Sequence, residues 1–284
     1  MSEDLQKIKT LLKVRGCSSR TTTNYISCIN RFKKFFGGRN LEKLNEEDIL
    51  EYIKVNFVDL EYSPATINVN RAAIKYYYLV VFKKEFNDIL LPYCKIHRRY
   101  PYIFDTKDVI LLINSTNNIK HKIWICLGYG SGLRVDEIAN LKIVDFSHRL
   151  HKIKVIGKGN KERFVPFPEL TYKLLLIYYE QNKDKIKEFD NFLFPSVRKD
   201  YNNIHISVQT IKNTFTNIKK KFNLGDEVTF HTLRHSFATD YIKRGGDIWK
   251  LKSMLGHTSI NSTTIYLHMA NDFSEIHSPL DEGL

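Results

Sequence analysis

The chain has few cysteines, no long apolar run and no internal repeat, and these absences exclude several classes of protein. Its four cysteines, at positions 17, 28, 94 and 126, form no Cys-x-x-Cys pair and no framework of the kind that stabilises small secreted domains. The longest aromatic and aliphatic run, Tyr76 to Phe82, is far shorter than the roughly 20 residues that cross a bilayer. The N-terminal residues also lack the apolar core of a signal peptide. We therefore expect reduced thiols and a cytoplasmic location.

Acidic residues are in deficit. The 284 residues include 44 Lys and Arg against 31 Asp and Glu, which gives a formal charge of +13. This excess favours an anionic partner such as nucleic acid. The length and the 43% apolar content suffice for one large domain or two ordinary ones.

The first 85 or so residues predict four helices from apolar spacing and from capping residues. The predicted helices are residues 3–14, a second from about Thr21 to the stop at Gly37-Gly38, a third capped by Asn45 with Asp48, and a fourth opened by Ser63-Pro64.

The helical periodicity is lost over residues 86–104, where Pro92 and Pro101 flank a basic cluster that includes Arg98 and Arg99. We place a first domain at residues 1–90, a linker at 91–104 and a second domain at 105–284. The basic cluster is either simply solvated or contacts DNA phosphates.

The sequence of the second domain predicts helices and one β-hairpin. The hairpin strands Lys152–Ile156 and Glu162–Val165 flank the turn Gly157-Lys-Gly-Asn160. Further helices are predicted over Thr106 to Asn114 with Asp105 as cap, over Phe230 to Arg244, over Ile248 to Leu255 between Asp247 and Gly256, and around Tyr266. The fold class is therefore mainly α, with a small β-hairpin or sheet in the second domain.

Tyr266 follows four groups that together can catalyse attack by its hydroxyl on a phosphodiester. A tyrosine hydroxyl has a pKa of about 10 and is a weak nucleophile, so it needs neighbours that stabilise the charge formed at phosphorus. Arginine suits this task because its planar fork binds two oxygens at once. The groups are Arg134 in Gly132-Leu-Arg-Val-Asp-Glu137, Lys158 in the hairpin turn, His231-Thr-Leu-Arg-His235, and His257 in Leu255-Gly-His257.

These motifs, in this order from about Asp105 to Tyr266, resemble the catalytic domain of the tyrosine recombinases, and in particular their short two-domain Xer and phage-integrase-like members. The first 90 residues resemble the helical core-binding domain of that family. The resemblance implies a two-domain clamp around duplex DNA and a 3′-phosphotyrosyl intermediate. It also implies a homo-tetramer on two DNA sites and a reaction that needs neither metal nor cofactor.

The resemblance assigns a role to each matching residue. Arg134 and Arg234 bind the phosphate oxygens, and His257 donates a hydrogen bond to one of them. His231 assists Tyr266 by acid/base chemistry, while Lys158 protonates the leaving 5′ oxygen, with Lys161 as its rival. Glu137 orients its neighbours.

DNA contacts are expected from the first domain and the linker, and a contact between protomers is expected from the C-terminal tail. The second and fourth helices of the first domain offer Arg20, Asn24, Arg71 and Lys75 for the major groove. The linker offers Arg98 and Arg99. Beyond Tyr266, residues 267–284 form a tail with Phe273, Ile276 and Leu280 at helical spacing, which the resemblance implies docks into a neighbouring protomer.

Several alternatives stay open. His231 and His235 have the i, i+4 spacing of a zinc pair, but the chain has no His-Glu-x-x-His motif and no obvious third ligand, so metal binding is not favoured. A type IB topoisomerase and a catalytically idle DNA-binding regulator are the rival functions. The biological role is either Xer-like resolution of replicon dimers, at the nucleoid, or integration and excision of a mobile element. Whether an accessory protein such as a DNA translocase takes part stays open.

Overall fold

The computed structural model describes residues 2–96, 100–157, 161–196 and 204–270. The chain divides into two compact units, Met1–Arg99 and Tyr100–Leu284. Within the described residues the secondary structure is mostly α-helical with one small antiparallel sheet, which confirms the predicted fold class. No helix among these residues is both long enough and apolar enough to cross a membrane.

Within its described residues the first unit contains four α-helices, and their ends follow the predicted capping residues. Asn45 and Asp48 form a reciprocal capping box, and Ser63 caps a helix that begins with Pro64. Gly37 adopts the left-handed conformation that ends the second helix. The helices are α1 (Glu3–Val14), α2 (Ser19–Phe36), α3 (Glu46–Ile53) and α4 (Pro64–Val81), with a π-helical turn over Lys54–Val58 after α3.

The core of this first unit is rich in aromatic side chains. Phe32 of α2 makes edge-to-face contacts with Tyr52 of α3 and Tyr78 of α4, at centroid distances of 5.1 and 6.1 Å. The Tyr78 hydroxyl donates to the carbonyl of Leu41 at 2.6 Å. These contacts bring α2, α3 and α4 around one apolar centre.

The second unit contains eight further helices and a three-stranded sheet within its described residues. The helices are α5 (Thr106–Asn114), α6 (Ile119–Gly130), α7 (Val135–Ala139), α8 (Glu169–Glu188), α9 (Val208–Lys221), α10 (Phe230–Lys243), α11 (Ile248–Leu255) and α12 (Ile265–Ala270). The strands, in sheet order, are β1 (Phe146–Ser147), β2 (Lys152–Ile156) and β3 (Glu162–Pro166).

The predicted hairpin forms with Ile153 opposite Val165, and both side chains are buried. Two details differ from the sequence analysis. The short strand β1 was not predicted, because two residues carry no readable alternation. Asp105 precedes α5 as predicted, but its side chain makes no capping hydrogen bond.

Helix α10 lies at the centre of the second unit, where it packs against α6 and α12. Its Ser236 hydroxyl accepts from the backbone N–H of Phe104 at 2.9 Å and is fully buried. Helix α11 ends at Gly256, whose φ of 63° is left-handed, and it packs against β3. The chain therefore brings α7, α10, α11, α12 and the hairpin to one region.

Candidate active site

Gly132 shapes the segment that carries Arg134. Its φ is +64°, and a Cβ atom there would lie 2.5 Å from the ring of Phe237, so only glycine fits. The carbonyl of Gly132 accepts from Nη1 of Arg234 at 2.7 Å. The Gly-Leu-Arg motif therefore does more than introduce Arg134, because its glycine also fixes the second arginine of the site.

Glu137 is a buried carboxylate that organises the site. It accepts from the backbone N–H of Arg134 at 2.8 Å and from Nη1 of Arg134 at 3.0 Å. It also lies 3.8 Å from Nη1 of Arg234. Burial alone would raise the pKa of Glu137, but the hydrogen bond and charge of Arg163, with Arg134 and Arg234, lower it overall. Glu137 therefore fixes the position of Arg134, and its orienting role in catalysis stays a prediction.

Arg234 is held almost entirely by neutral partners. Its side chain is 1% exposed. Its Nη2 donates to the carbonyl of Leu255 at 2.5 Å and lies 3.3 Å from Nε2 of His257. Burial, followed by the like charge of Arg134, lowers the pKa of Arg234 to about 10, so it remains charged at neutral pH. Arg234 therefore presents a positive charge that no carboxylate fully neutralises.

Tyr266 is buried next to these cations. Only 2% of the residue is exposed, and burial raises the pKa of its hydroxyl while Arg234 and Arg134 oppose that rise. Its hydroxyl lies 2.8 Å from Nδ1 of His235. The sequence analysis assigned assistance to His231 instead, whose ring stands edge-on to that of His235 at 5.0 Å. In the structure the predicted nucleophile is thus hydrogen-bonded to a histidine for which the sequence analysis predicted no catalytic role.

All three histidines of the site are neutral at pH 7. Desolvation by the surrounding protein lowers the pKa of both His231 and His257 to about 4, and the positive charges of Arg234 and Arg134 add to this shift. Burial, then His231 and Arg234, does the same for His235. His257 is further fixed by Thr263, whose Oγ1 lies 2.9 Å from its Nδ1. The cationic surroundings that depress these pKa values would also attract a phosphate.

Arg163 is a site residue that the sequence analysis missed. It projects inward from β3, where its Nη2 donates to Glu137 at 2.8 Å and its Nε donates to the carbonyl of Met254 at 2.6 Å. The φ of +63° at Gly256 favours glycine, and a Cβ there would lie in tight contact with the Arg163 side chain, at 3.2 Å. Arg163 thus links the hairpin, Glu137 and the end of α11. The available signal was the strand alternation, which puts Arg163 on the same inward face as Val165.

Some predicted site residues lie outside the described part of the chain. These are Lys158 of the hairpin turn, Arg98 and Arg99 of the predicted linker, and the tail residues Phe273, Ile276 and Leu280. At the base of the turn, the N–H of Gly157 donates to the carbonyl of Lys161 at 2.8 Å, so the two strands are still joined where the turn begins.

The four residues of the first unit that were predicted to contact DNA differ in their exposure. Arg20 and Asn24 are exposed one helical turn apart on α2. Lys75 is partly exposed and paired with Asp88. The prediction for Arg71 needs correction, because its side chain is 2% exposed and donates to Asp88 at 2.5 Å and to the carbonyl of Leu91. Its place on the buried stripe with Ile67 and Ile74 explains the error.

The described residues contain one group of three potential metal ligands, and it includes none of the predicted catalytic histidines. His148, His151 and Glu169 offer ligand atoms within 4.8 Å of one another and are exposed. His231 and His235 belong to no such group among the residues that the structure covers. The four cysteines are all free.

Comparisons with known proteins agree with this geometry. Residues 103–272 match the phage integrase family, and residues 5–88 match its N-terminal SAM-like domain. A tyrosine recombinase of Thermosipho africanus (strain TCF52B) is 30% identical, over 92% of this chain and 93% of the relative. The tyrosine recombinase XerC of Listeria innocua is 26% identical, over 91% and 90% of the two chains.

A solved structure supports the fold. The XerH site-specific recombinase bound to a palindromic difH substrate superposes with a TM-score of 0.76 at 21% identity, over 97% of this chain and 84% of that one. The chain belongs to the phage integrase family. Within that family it is a tyrosine recombinase, a class of enzymes that transfer DNA strands. None of these matches favours a topoisomerase or an idle regulator.

Proposed function

We propose that this recombinase cuts and rejoins duplex DNA at a specific site through a covalent link between Tyr266 and a 3′ phosphate. The observation that carries this assignment is the convergence of the Tyr266 hydroxyl, three neutral histidines and a surplus of arginine charge in one region. A phosphodiester placed there meets fixed donors that stabilise the transition state with little reorganisation. The similarity to tyrosine recombinases supports the same reaction.

Arg134 and Arg234 hold the non-bridging oxygens in this proposal. Nη2 of Arg234 and Nε2 of His257 lie 3.3 Å apart, so one phosphate oxygen can reach both when His257 carries its proton on Nε2. Glu137 keeps Arg134 in place through two hydrogen bonds. His231, on the open side of α10, is available to a bound phosphate.

Lys158 is proposed as the general acid for the 5′ oxygen. It belongs to the turn of a hairpin whose base Arg163 joins to Glu137, so the hairpin is anchored to the phosphate-binding residues. The covalent link conserves the phosphodiester, which explains why the proposal requires neither a metal nor a cofactor.

Recognition and assembly complete the proposal. Arg20 and Asn24 of α2 contact the major groove, Lys75 adds a weaker contact, and Arg98 and Arg99 contact phosphates. A homo-tetramer on two DNA sites exchanges strands in pairs, and the tail of residues 267–284 docks into a neighbouring protomer. We favour a Xer-like role in resolving replicon dimers, because XerC and XerD relatives align over most of the chain.

The nucleophile is tested with a nicked suicide DNA substrate and denaturing electrophoresis. Tyr266→Phe should abolish the covalent adduct and leave DNA binding nearly unchanged, because one hydroxyl is lost and no positive charge. Tyr241→Phe is the matched control, since Tyr241 packs against the same apolar cluster as Tyr266. An adduct that persists in Tyr266→Phe, or disappears in Tyr241→Phe alone, contradicts the assignment.

Lys158 is tested with a substrate that carries a 5′-bridging sulfur at the scissile phosphate. A thiolate leaves without protonation, so Lys158→Ala should be slow on normal DNA and largely rescued on the sulfur substrate. Arg134→Ala should be slow on both substrates. Rescue of Lys161→Ala instead would transfer the general-acid role to Lys161.

A further inference from the structure

Two exposed histidines and a glutamate converge beside the sheet of the second unit, among residues that the proposed function does not use. His148 and His151 belong to the turn that joins β1 to β2, and Glu169 is the first residue of α8. One ligand atom from each, an imidazole nitrogen or a carboxylate oxygen, lies within 4.8 Å of the other two. Within the part of the chain that the structure describes, no other group of His, Cys, Asp and Glu side chains meets this condition.

The β1–β2 turn brings the two histidines together. The N–H of His151 donates to the carbonyl of His148 at 3.0 Å, and the carbonyl of His151 accepts from the N–H of Phe167, also at 3.0 Å. The φ of His151 is +48°, a left-handed conformation that favours Gly or Asn. The turn itself therefore does not require a histidine at this position, and the side chain needs another explanation.

The ring of His148 is already oriented toward Glu169. It stacks on the ring of Tyr172 at a centroid distance of 3.6 Å and an angle of 15°. Its Nε2 lies 3.3 Å from Oε2 of Glu169. Two ligand atoms bound to one tetrahedral Zn²⁺ ion are separated by about 3.3–3.5 Å, so this pair can hold the ion almost without moving. The nitrogen of His151 has to approach by at most about 1.5 Å, which a change of rotamer in an exposed side chain allows.

The donor atoms determine which kind of ion fits. Two imidazole nitrogens and one carboxylate suit Zn²⁺, whereas Mg²⁺ and Ca²⁺ prefer oxygen ligands alone. Positive charge nearby lowers the affinity, because Arg149 and Lys152 flank His151 closely in sequence and Nζ of Lys173 lies 4.0 Å from Oε1 of Glu169. The pair of Lys173 and Glu169 is exposed on both sides and therefore weak, so a divalent ion can displace the lysine.

We propose that His148, His151 and Glu169 bind a divalent transition-metal ion, with Zn²⁺ as the ion that fits these donors and water as its fourth ligand. The bound ion clamps the β1–β2 turn to the first turn of α8. Strand β2 runs from this turn to the β2–β3 turn, so the ion fixes one end of the hairpin whose other end carries the proposed general acid. The site goes beyond the proposed function and does not depend on it, because the ion takes no part in strand transfer.

The first test is calorimetric titration of the full chain with ZnCl₂, without DNA and after treatment with a chelator. We expect one Zn²⁺ per chain and no binding of Mg²⁺. His148→Gln, His151→Asn and Glu169→Gln should each weaken zinc binding by at least about tenfold, because each removes one ligand or its charge. Asn suits the left-handed conformation at position 151, so that variant keeps the turn. Thermal unfolding in chelator should give each variant the Tm of the unaltered protein, which shows that it folds.

The matched control for this titration is His231→Gln. His231 and His235 form the other close pair of histidines, with ring centres 5.0 Å apart on α10. Zinc binding that survives in His148→Gln but is lost in His231→Gln would assign the ion to that pair and overturn the proposal. Binding of the ion by the unaltered protein should therefore equal its binding by His231→Gln.

The second test measures the clamp by hydrogen exchange. The N–H of Phe167 donates to His151 two residues before Glu169, so a bound ion has to leave before this bond can open. At free zinc of 100 times Kd, exchange at Phe167 should slow by up to about 100-fold in the unaltered protein and stay unchanged in Glu169→Gln. The N–H of Phe82, which donates to the carbonyl of Tyr78 in the first unit, is the control and should not respond.

Three further outcomes overturn the proposal. The unaltered protein fails to bind Zn²⁺ in a 1:1 ratio, or all three ligand variants bind as tightly as the unaltered protein, or zinc leaves exchange at Phe167 unchanged. None of these outcomes affects the proposed function, because both tests are made without DNA. A covalent adduct that persists in Tyr266→Phe would contradict the proposed function and leave the metal site untouched.

Discussion

Arg71 in the first unit and Arg234 in the second are almost equally buried, with 2% and 1% of their side chains exposed, but their surroundings differ. Arg71 pairs with Asp88, bonds the carbonyl of Leu91 and lies 3.7 Å from the centre of the Tyr93 ring. These contacts tie α4 to the segment that follows it. Its charge is balanced by Asp88, which is largely open to solvent.

Arg234 has no such carboxylate to itself. Its close partners are the carbonyls of Gly132 and Leu255, and the nearest carboxylate, Glu137 at 3.8 Å, already bonds Arg134 and Arg163. One buried negative charge thus serves three arginines. The difference shows that burial alone does not identify an anion-binding arginine. The distinguishing feature is a positive charge that is held by neutral acceptors and has no carboxylate of its own to cancel it.

The largest expected effect separates these two arginines. Arg234→Lys keeps the charge but loses the planar fork that spans Gly132, Leu255 and a phosphate, so adduct formation should fall by about 10²–10³-fold. Arg71→Lys should lower Tm and leave the rate of adduct formation at saturating DNA unchanged. Gel quantification measures the rate of adduct formation in each variant, and thermal unfolding measures its Tm. A cleavage defect in Arg71→Lys as large as that in Arg234→Lys would remove the distinction.

The next effect concerns stability. Arg163 and Glu137 are both over nine-tenths buried, and removing one partner of a buried ion pair costs about 3–5 kcal/mol. Arg163→Met should therefore destabilise the second unit by about that amount. Arg71→Met should cost less, because the remaining Asp88 is solvated. Hydrogen exchange resolved by unit measures each loss separately.

A double-mutant cycle sharpens this prediction. Glu137→Gln in the Arg163→Met background removes a buried carboxylate that has lost one of its three arginines, so the double variant should be more stable than the sum of the single changes implies. Strict additivity would mean that Arg163 stabilises the unit by packing alone. Cleavage should fall in every variant of this pair, because Glu137 also holds Arg134.

Local features of this chain could be predicted from sequence more fully than long-range ones. The capping box of Asn45 and Asp48 and the left-handed Gly256 depend on neighbouring residues, so their sequence signals were sufficient. The position of Arg163 depends on Met254, 91 residues away, and no local pattern encodes that contact. The hydrogen bond between Tyr266 and His235 could not be predicted for the same reason, because His231 and His235 share one helix and the packing of α12 decides which of them the hydroxyl meets. The role of His231 stays a prediction.

Arg71 shows a different limit. The signal was present, since Arg71 is four residues after Ile67 and three before Ile74, both on the buried stripe. The net positive charge and the resemblance to DNA-binding helices favoured the prediction that Arg71 is exposed. The helical periodicity, which predicts that it is buried, is the stronger signal. A basic residue on an apolar stripe indicates a buried partner before it indicates a ligand.

Acid should destabilise the second unit before the first. His231, His235 and His257 have folded pKa values of about 4, below the ordinary value of 6.5, so the unfolded chain binds more protons between these values. The contribution of these histidines to the free energy of unfolding is therefore fully present above pH 6.5, and it falls as the pH decreases toward 4. The lowered pKa of Glu137 adds a further loss below about pH 4.5. Hydrogen exchange at pH 7 and 5 should show greater loss of protection in α10 than in α2, and equal losses would contradict the prediction.

The smallest expected effect tests DNA recognition by the first unit. Arg20 is exposed on α2, one turn before Asn24, whereas Arg71 is fully engaged within the unit. Arg20→Ala should weaken binding to the cognate site by about 1–3 kcal/mol and relax preference at one base pair, as loss of a base contact does. Arg71→Lys should leave that preference unchanged. A uniform loss on all sequences, with a salt dependence reduced by about one ion, would instead assign Arg20 to a phosphate. Helix α2 packs into the core through Ile29 and Phe32 on the face opposite Arg20. Neither outcome of Arg20→Ala can therefore be attributed to a disturbed core.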